Sequence, residues 1–166
     1  MTSLVLEGHY GRPVPIDSCE ACQAVWFDRH ESLQRSPASV LRLFRIMGDA
    51  GARARAFVSN LAACPRCRQP LVTTHDQQHQ STFEYRPCPE EHGRLITCVN
   101  VLREKDFIRP ISATQLDELR KNPQSVNCSN CGPPIDLAWA TVCAHCATPL
   151  SILDIGLVKA TVGEFT

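Results

Sequence analysis

The sequence predicts a small α+β fold in which short β-hairpins, stapled by metal-binding cysteine knuckles, alternate with short α-helices. Three observations lead there. Eight of ten cysteines form four C-x-x-C pairs: Cys19/Cys22, Cys64/Cys67, Cys128/Cys131 and Cys143/Cys146. Aromatic residues make up only 6% of the 166 positions, too few for one large aromatic core. The apolar periodicity switches repeatedly between strand-like and helix-like segments. Each C-x-x-C turn aims two thiolates at one point, half of a tetrahedral shell that a second pair closes. The chain therefore divides into tandem zinc ribbons rather than one large domain, although its length alone would suit a single domain.

The elements follow in order. Residues 1–34 form an N-terminal ribbon-like unit. Leu4–Glu7 and Pro13–Asp17 are strand candidates around a turn at Gly11-Arg12, and Val25-Trp26-Phe27 is an apolar patch to pack on that hairpin. Residues 35–63 are a basic helical connector. Ser36-Pro37 supplies an N-cap and a proline at the first helical position, and Val40, Leu43, Phe44 and Met47 repeat at helical spacing. Gly48 and Gly51 break this helix, and Arg53–Ala63 resumes it. Residues 64–110 are the middle ribbon, with strands Leu71–His75, Thr82–Arg86 and Leu95–Leu102 and a polar loop at Asp76–Gln80. Residues 111–124 hold a short helix opened by the capping box Ser112-Ala-Thr-Gln115 and stopped by Pro123. Residues 125–154 form the C-terminal ribbon, and 155–166 a tail.

The cysteines define the sites. In the C-terminal unit, Cys128, Cys131, Cys143 and Cys146 make a closed four-thiolate zinc site with an eleven-residue spacer. His145 lies inside the second knuckle, where the shell is already full. In the middle unit, Cys64 and Cys67 are followed by twenty residues and then Cys88-Pro-Glu-Glu-His92, so imidazole replaces one thiolate. Cys98 competes with His92 as the fourth ligand, against a reading as a small buried hydrophobe. Cys19 and Cys22 supply half a shell. His9, His30 or a second chain are candidates to complete it, and a degenerate ribbon with free thiols is the alternative. Two Zn2+ ions are expected and a third would need that completion. Rubredoxin-like iron centres use similar knuckles, but the spacer length and the histidine favour zinc.

The residues Ile16-Asp17-Ser18-Cys19-Glu20-Ala21-Cys22-Gln23-Ala24-Val25-Trp26-Phe27-Asp28-Arg29-His30-Glu31-Ser32-Leu33 resemble the second half of bacterial zinc fingers likened to the ribbon of transcription factor IIB. Those read roughly I-D-x-C-x-x-C-x-G-x-W-x-D-x-x-E-L. The likeness covers about thirty residues. The chain departs from it in lacking the upstream cysteine pair and in carrying Ala24 for the glycine. Residues 128–150 resemble the common double-cysteine ribbon, and the whole chain resembles bacterial multi-ribbon proteins. The resemblance implies zinc binding and carries no activity.

Composition narrows the function classes. The N-terminus has no basic, apolar and small-residue succession of a secretory signal, so a reducing cytosol is expected, where clustered cysteines bind metal rather than pair as disulfides. No run of about 18 apolar residues is present to span a membrane. Seventeen basic and seventeen acidic residues balance overall. Residues 32–72 nonetheless carry seven arginines against Asp49 alone, a basic stretch able to contact phosphate. There is no nucleophile beside a general base and no phosphate-cradling glycine loop. The expected function is a non-enzymatic protein–protein adaptor or scaffold. The alternative is nucleic-acid binding through the arginine-rich segment 35–68. No small-molecule substrate is indicated.

Overall fold

The computed structural model describes residues 1–29, 37–49, 58, 61–79, 81–121, 126–128, 130 and 133–153. The fold is mostly β, with an antiparallel six-stranded sheet and few helices. The hairpin β1 (Thr2–Glu7) and β2 (Pro13–Cys19) forms in the expected place, in register from Thr2↔Ser18 to Glu7↔Pro13. The reversal at His9–Gly11 is a tight helical turn, with Tyr10 (φ 61°) and Gly11 (φ 69°) both left-handed. The residues read as an apolar patch are a third strand, β3 (Ala24–Asp28), hydrogen-bonded to β2.

That strand joins two regions separated in the sequence reading. β3 pairs antiparallel with β6 (Gly93–Thr97) over Ala24↔Thr97 to Asp28↔Gly93. β6 pairs with β5 (Ser81–Pro87), and β5 with β4 (Thr74–Gln78), giving the order β1-β2-β3-β6-β5-β4. One sheet therefore crosses the boundary drawn between residues 1–34 and 64–110. Gly93 permits the junction. Its φ is 152°, and a Cβ there would lie 2.2 Å from the carbonyl oxygen of Phe27 and 3.0 Å from the Trp26 ring.

Helix α1 (Pro37–Asp49) lies where its periodicity placed it, with Val40 and Leu43 buried; the Phe44 and Met47 side chains and Pro123 lie outside the described residues. Residues 53–57 of the expected second helix also lie outside them, while Leu61 is in a turn and Ala63 bridges Pro70. The expected strand Leu95–Leu102 is corrected. It ends at Thr97, and Cys98–Glu104 is helix α2, buried on nearly every side. A short continuous apolar run does not distinguish a buried strand from a buried helix. The polar loop at Asp76–Gln80 is likewise mostly strand: β4 runs to Gln78 as an exposed sheet edge, where polar side chains are no obstacle.

The main core lies between the sheet, α1 and α2, and includes Leu6, Val14, Ile16, Val25, Phe27, Val40, Leu43, Ile96, Leu102 and Phe107. β7 (Ile108–Pro110) then leads to α3 (Ala113–Lys121). The capping box forms as expected: Gln115 N donates to Ser112 Oγ (3.3 Å), and Ser112 N donates to Gln115 Oε1 (3.1 Å). Leu116 of α3 covers a separate small core of Cys128, Ile135, Leu137, Cys143 and Leu150. Beside it, β8 (Val126–Asn127) pairs with β9 (Pro134–Ile135), and β10 (Ser151–Leu153) returns to pair with β7. Among the described residues, no helix is long and apolar enough to cross a membrane.

Candidate metal centres

The middle centre rests on two tight turns. In Cys64-Pro-Arg-Cys67, Arg68 N donates to Cys64 O (3.0 Å) and Cys64 N to Gln69 O (2.9 Å), while Arg68 adopts φ 63°. This winding leaves the Arg66 N–H aimed at Cys64 Sγ (3.4 Å). In Cys88-Pro-Glu-Glu-His92, Cys88 N donates to Gly93 O (2.9 Å) and Glu91 N to Cys88 O (3.0 Å). The two turns bring the ligand atoms of Cys64, Cys67, Cys88 and His92 within 4.8 Å of one another. Cys67 Sγ lies 3.5 Å from Cys88 Sγ, and His92 Nδ1 lies 3.5 Å from Cys88 Sγ and 3.9 Å from Cys64 Sγ. Separations of this size suit donor atoms gathered around one four-coordinate ion, whose bonds to sulfur and imidazole nitrogen run about 2.0–2.3 Å. This cluster could hold a metal ion. The donor atom on the imidazole is Nδ1.

Cys98 stands apart. It is buried among Val25, Ile96 and Val99 of the main core, and its N–H donates to Gln23 O (2.8 Å). The structure therefore brings His92, not Cys98, to the middle cluster.

The floor of that cluster comes from β3. Trp26 is 3% exposed and packs with Cys64, Leu71 and Cys88. Its indole N–H donates to Asp28 Oδ1 (2.9 Å), and Asp28 also receives the guanidinium of Arg66 from between the two knuckle cysteines. The W-x-D tail read as part of the first unit thus buttresses the second. Sequence reasoning missed this because β3–β6 pairing is a long-range fact with no local signature.

The thiols have an uneven electrostatic setting. Burial pushes the Cys88 thiol up, but donation from the backbone N–H groups of His92 and Glu90 and hydrogen bonds with Cys67 and Cys64 outweigh it and hold Cys88 down at about 6. At Cys67 a backbone N–H from Gln69 pulls the thiol down, but desolvation, followed by the neighbouring thiols of Cys88 and Cys64, outweighs it and moves Cys67 up.

The C-terminal centre repeats the first of these turns. Cys143-Ala-His-Cys146-Ala-Thr-Pro-Leu150 matches Cys64-Pro-Arg-Cys67-Arg-Gln-Pro-Leu71 as C-x-x-C-x-x-P-L. The hydrogen bonds match too: Ala147 N to Cys143 O, Cys143 N to Thr148 O and Leu150 N to Thr141 O, each 2.9 Å, with Ala147 at φ 54°. Both leucines are buried beneath their knuckles. This eight-residue repeat was legible in the sequence and went unread behind the C-x-x-C spacing. Cys128, Cys143 and Cys146 converge within 4.8 Å, with Cys128 Sγ 3.6 Å from Cys146 Sγ. Cys131 lies outside the described residues. This second cluster could also hold a metal ion. His145 is exposed and contributes its backbone N–H to Cys143 Sγ (3.4 Å).

Cys19 and Cys22 have the turn without the partners. Cys19 pairs across the ladder with Ala24, and Gln23 takes φ 51°, the left-handed position that Arg68 and Ala147 occupy after their second cysteines. Both thiols are partly exposed and hydrogen-bond each other. Burial raises both; backbone and side-chain donation from Cys22 brings Cys19 below the usual thiol value, while the Cys19 charge reinforces the rise at Cys22. Among the described residues no third donor joins them. His9 is at the turn end of the β1–β2 hairpin, a full strand length from Cys19, and His30 lies outside the described residues.

Comparison with known protein families, characterised proteins and solved structures found no match.

Proposed function

We propose that the chain is a zinc-binding, non-enzymatic interaction module, most closely an adaptor or scaffold for a protein partner. The observation that carries this reading is the middle cluster: three sulfurs and one imidazole nitrogen within 4.8 Å of one another, with Cys64 and Cys88 buried. Four protein donors fill the shell of a zinc ion, leaving no position for a substrate or activated water. Thiolates with imidazole suit zinc among the divalent ions, and structural zinc stabilises folded modules too small to stabilise themselves. On this reading the two C-x-x-C-x-x-P-L turns are knuckles of zinc ribbons, Cys131 completes the C-terminal shell, and Cys19/Cys22 is a ribbon end with half a shell. The motif likeness of residues 16–33 to transcription-factor-IIB-like fingers agrees with this reading and assigns no activity.

The surface fits a protein partner. Trp139 is 89% exposed, and Val142 beside the C-terminal knuckle is partly exposed. Large aromatics of this kind anchor protein interfaces. The arginine segment 35–68 offers less to nucleic acid, since Arg66 is already committed to Asp28.

Elemental analysis of the purified full-length chain tests the metal reading. Two zinc ions per chain are expected, falling to one in Cys88→Ser and staying at two in Cys98→Ser. Folded, metal-free protein would overturn it. Crosslinking capture comparing the native chain with Trp139→Ala tests the interaction reading. A stoichiometric partner lost on that substitution is expected, whereas retention of mixed DNA or RNA at low salt without any protein partner would replace it with nucleic-acid binding.

A further inference from the structure

Arg103 lies in the last turn of α2 and is only 6% exposed. It lines a cavity of about 20 Å³ where the start of β5 meets β7 and β10. Arg109, Ser81, Thr82 and Ser151 are the other polar side chains of the wall, and no carboxylate lines it. The fold fixes this wall. Ser81 is buried and its Oγ donates to Ile108 O (2.9 Å), β10 pairs with β7 from Ser151↔Pro110 to Leu153↔Ile108, and Arg103 Nη2 donates to Pro149 O (3.2 Å) and Ser151 Oγ (3.1 Å). A guanidinium has five N–H donors. Both bonds leave from Nη2, so among the described residues the donors on Nε and Nη1 have no protein partner, and no carboxylate forms an ion pair with Arg103. The acidic side chains nearby are engaged elsewhere. Glu104 takes two bonds from Arg94 (2.8 and 2.7 Å), and Glu84 faces His75 across the β4–β5 ladder at 3.8 Å. A buried charge with neither a counter-charge nor a full set of hydrogen bonds is costly.

From this placement we propose that the cavity is an anion site, which takes the head of a small oxyanion such as phosphate, with buried Arg103 and exposed Arg109 as its two cations. Size and lining set the ligand class. A single water-sized occupant needs about 10–15 Å³. The cavity therefore admits the leading oxygen of an oxyanion and leaves the remainder at the surface, where Thr82, Arg109 and Pro110 are exposed. It is too small to enclose a nucleotide. Hydrogen bonds from a guanidinium to an anion are stronger than those between neutral groups. Ser151 Oγ accepts from Arg103 and keeps its own proton to donate. The bound anion ties β5, β7 and β10 together at the seam between the main sheet and the C-terminal module. The site uses no cysteine and stands apart from the metal reading.

Heteronuclear NMR on the purified full-length chain tests the proposal, with inorganic phosphate titrated against chloride at constant ionic strength. Saturable shifts are expected at the amides of residues 81–82, 108–109 and 151, and the urea midpoint is expected to rise as the site fills. Arg103→Met is expected to weaken binding roughly 10–100-fold, the loss that follows removal of a charged hydrogen-bond donor, and Arg103→Lys to recover part of it. Arg109→Glu changes an exposed position and reverses the charge on the wall, so it decides the matter should Arg103→Met fail to fold; it is expected to lose the saturable shifts. Phenyl phosphate in place of inorganic phosphate separates two sources of the same chemistry. Comparable binding assigns the site to an esterified head carried on a larger molecule, and loss of binding assigns it to the free ion. The absence of saturable shifts in the native chain would overturn the proposal. So would shifts spread evenly over the exposed arginines, or native-strength binding in folded Arg103→Met or in Arg109→Glu.

Discussion

The middle and C-terminal centres share one eight-residue knuckle and differ in everything that surrounds it. The middle knuckle is built into the main sheet. Its second turn opens β6, its floor is Trp26 of β3, and its rim is tied to Asp28 through Arg66. The C-terminal knuckle is attached to the body by the short β7–β10 ladder, Arg103 and the Thr97–Asn130 contact, and has its own small core under α3. An identical turn can therefore be an internal staple in one place and the closure of an appended module in another. The knuckle sequence sets the turn that gathers the thiols, and the neighbouring strands decide what depends on it.

The largest expected effect tests that difference directly. Cys64→Ser removes a candidate ligand that is fully buried beside Trp26, Leu71 and Cys88. Structural metal contributes roughly 10–16 kcal/mol in isolated fingers, so losing it here unfolds the region where β3, β6 and β5 meet. Cys143→Ser loses the other ion but leaves the six-stranded sheet. Circular dichroism melts with elemental analysis check this: the first variant loses the main cooperative transition, and the second keeps it. Equal loss of sheet in both would show that the two centres are not separable.

Next in size is Trp26→Ala. Removing a buried Trp side chain costs about 3–5 kcal/mol. The loss falls on the middle centre alone, because the small core of the C-terminal module does not contain Trp26. Chemical denaturation gives the stability change, and chelator competition is expected to accelerate release of only one ion.

A smaller effect separates the centres by pH. Cys88, held down at about 6, is a thiolate at neutral pH in the folded chain. A thiol with a depressed folded value contributes stability that is complete above its unfolded value of about 8.5. The contribution declines as pH falls and is lost below about 6. Metal-stripped chain refolded with a stabilising osmolyte is therefore expected to be less stable at pH 6 than at pH 8.5. Cys88→Ser should flatten that slope, as followed by urea denaturation at each pH. An unchanged slope would mean that Cys88 is not the group responsible.

Sequence was most informative where a local rule forces the outcome. The Ser112–Gln115 box, the helical spacing from Val40 to Leu43 and the β1–β2 hairpin are each encoded within a few residues. Cys64, Cys67, Cys88 and His92 were legible for the same reason, since each knuckle is a closed turn. What remained hidden depends on distant partners. Nothing local distinguishes Val25-Trp26-Phe27 as a packing patch from a central strand until β6 is beside it. The run from Leu95 to Leu102 is apolar except at Thr97 and Asn100, and most of it is buried in strand and helix alike, which blurs the periodicity that tells them apart. Nothing local marks Arg103 as buried, because an arginine at the end of an apolar run is ordinarily solvated. Its burial is set by the returning chain some forty residues later.

The smallest expected effect concerns the rim of the middle centre. The Arg66 and Asp28 side chains are substantially exposed, and exposed ion pairs contribute about 0–1 kcal/mol. Arg66→Ala is therefore expected to change stability by no more than that and to leave metal content unaltered. Asp28→Ala should cost more, because Asp28 also accepts the indole N–H of buried Trp26, which would be left without its partner. An unsatisfied buried donor costs about 1–3 kcal/mol. The asymmetry distinguishes a carboxylate that orients Trp26 from one that only decorates the surface. If the two substitutions cost the same by denaturant titration, Trp26 is held by packing alone, and the tie between β3 and the metal centre runs through the ring rather than its N–H.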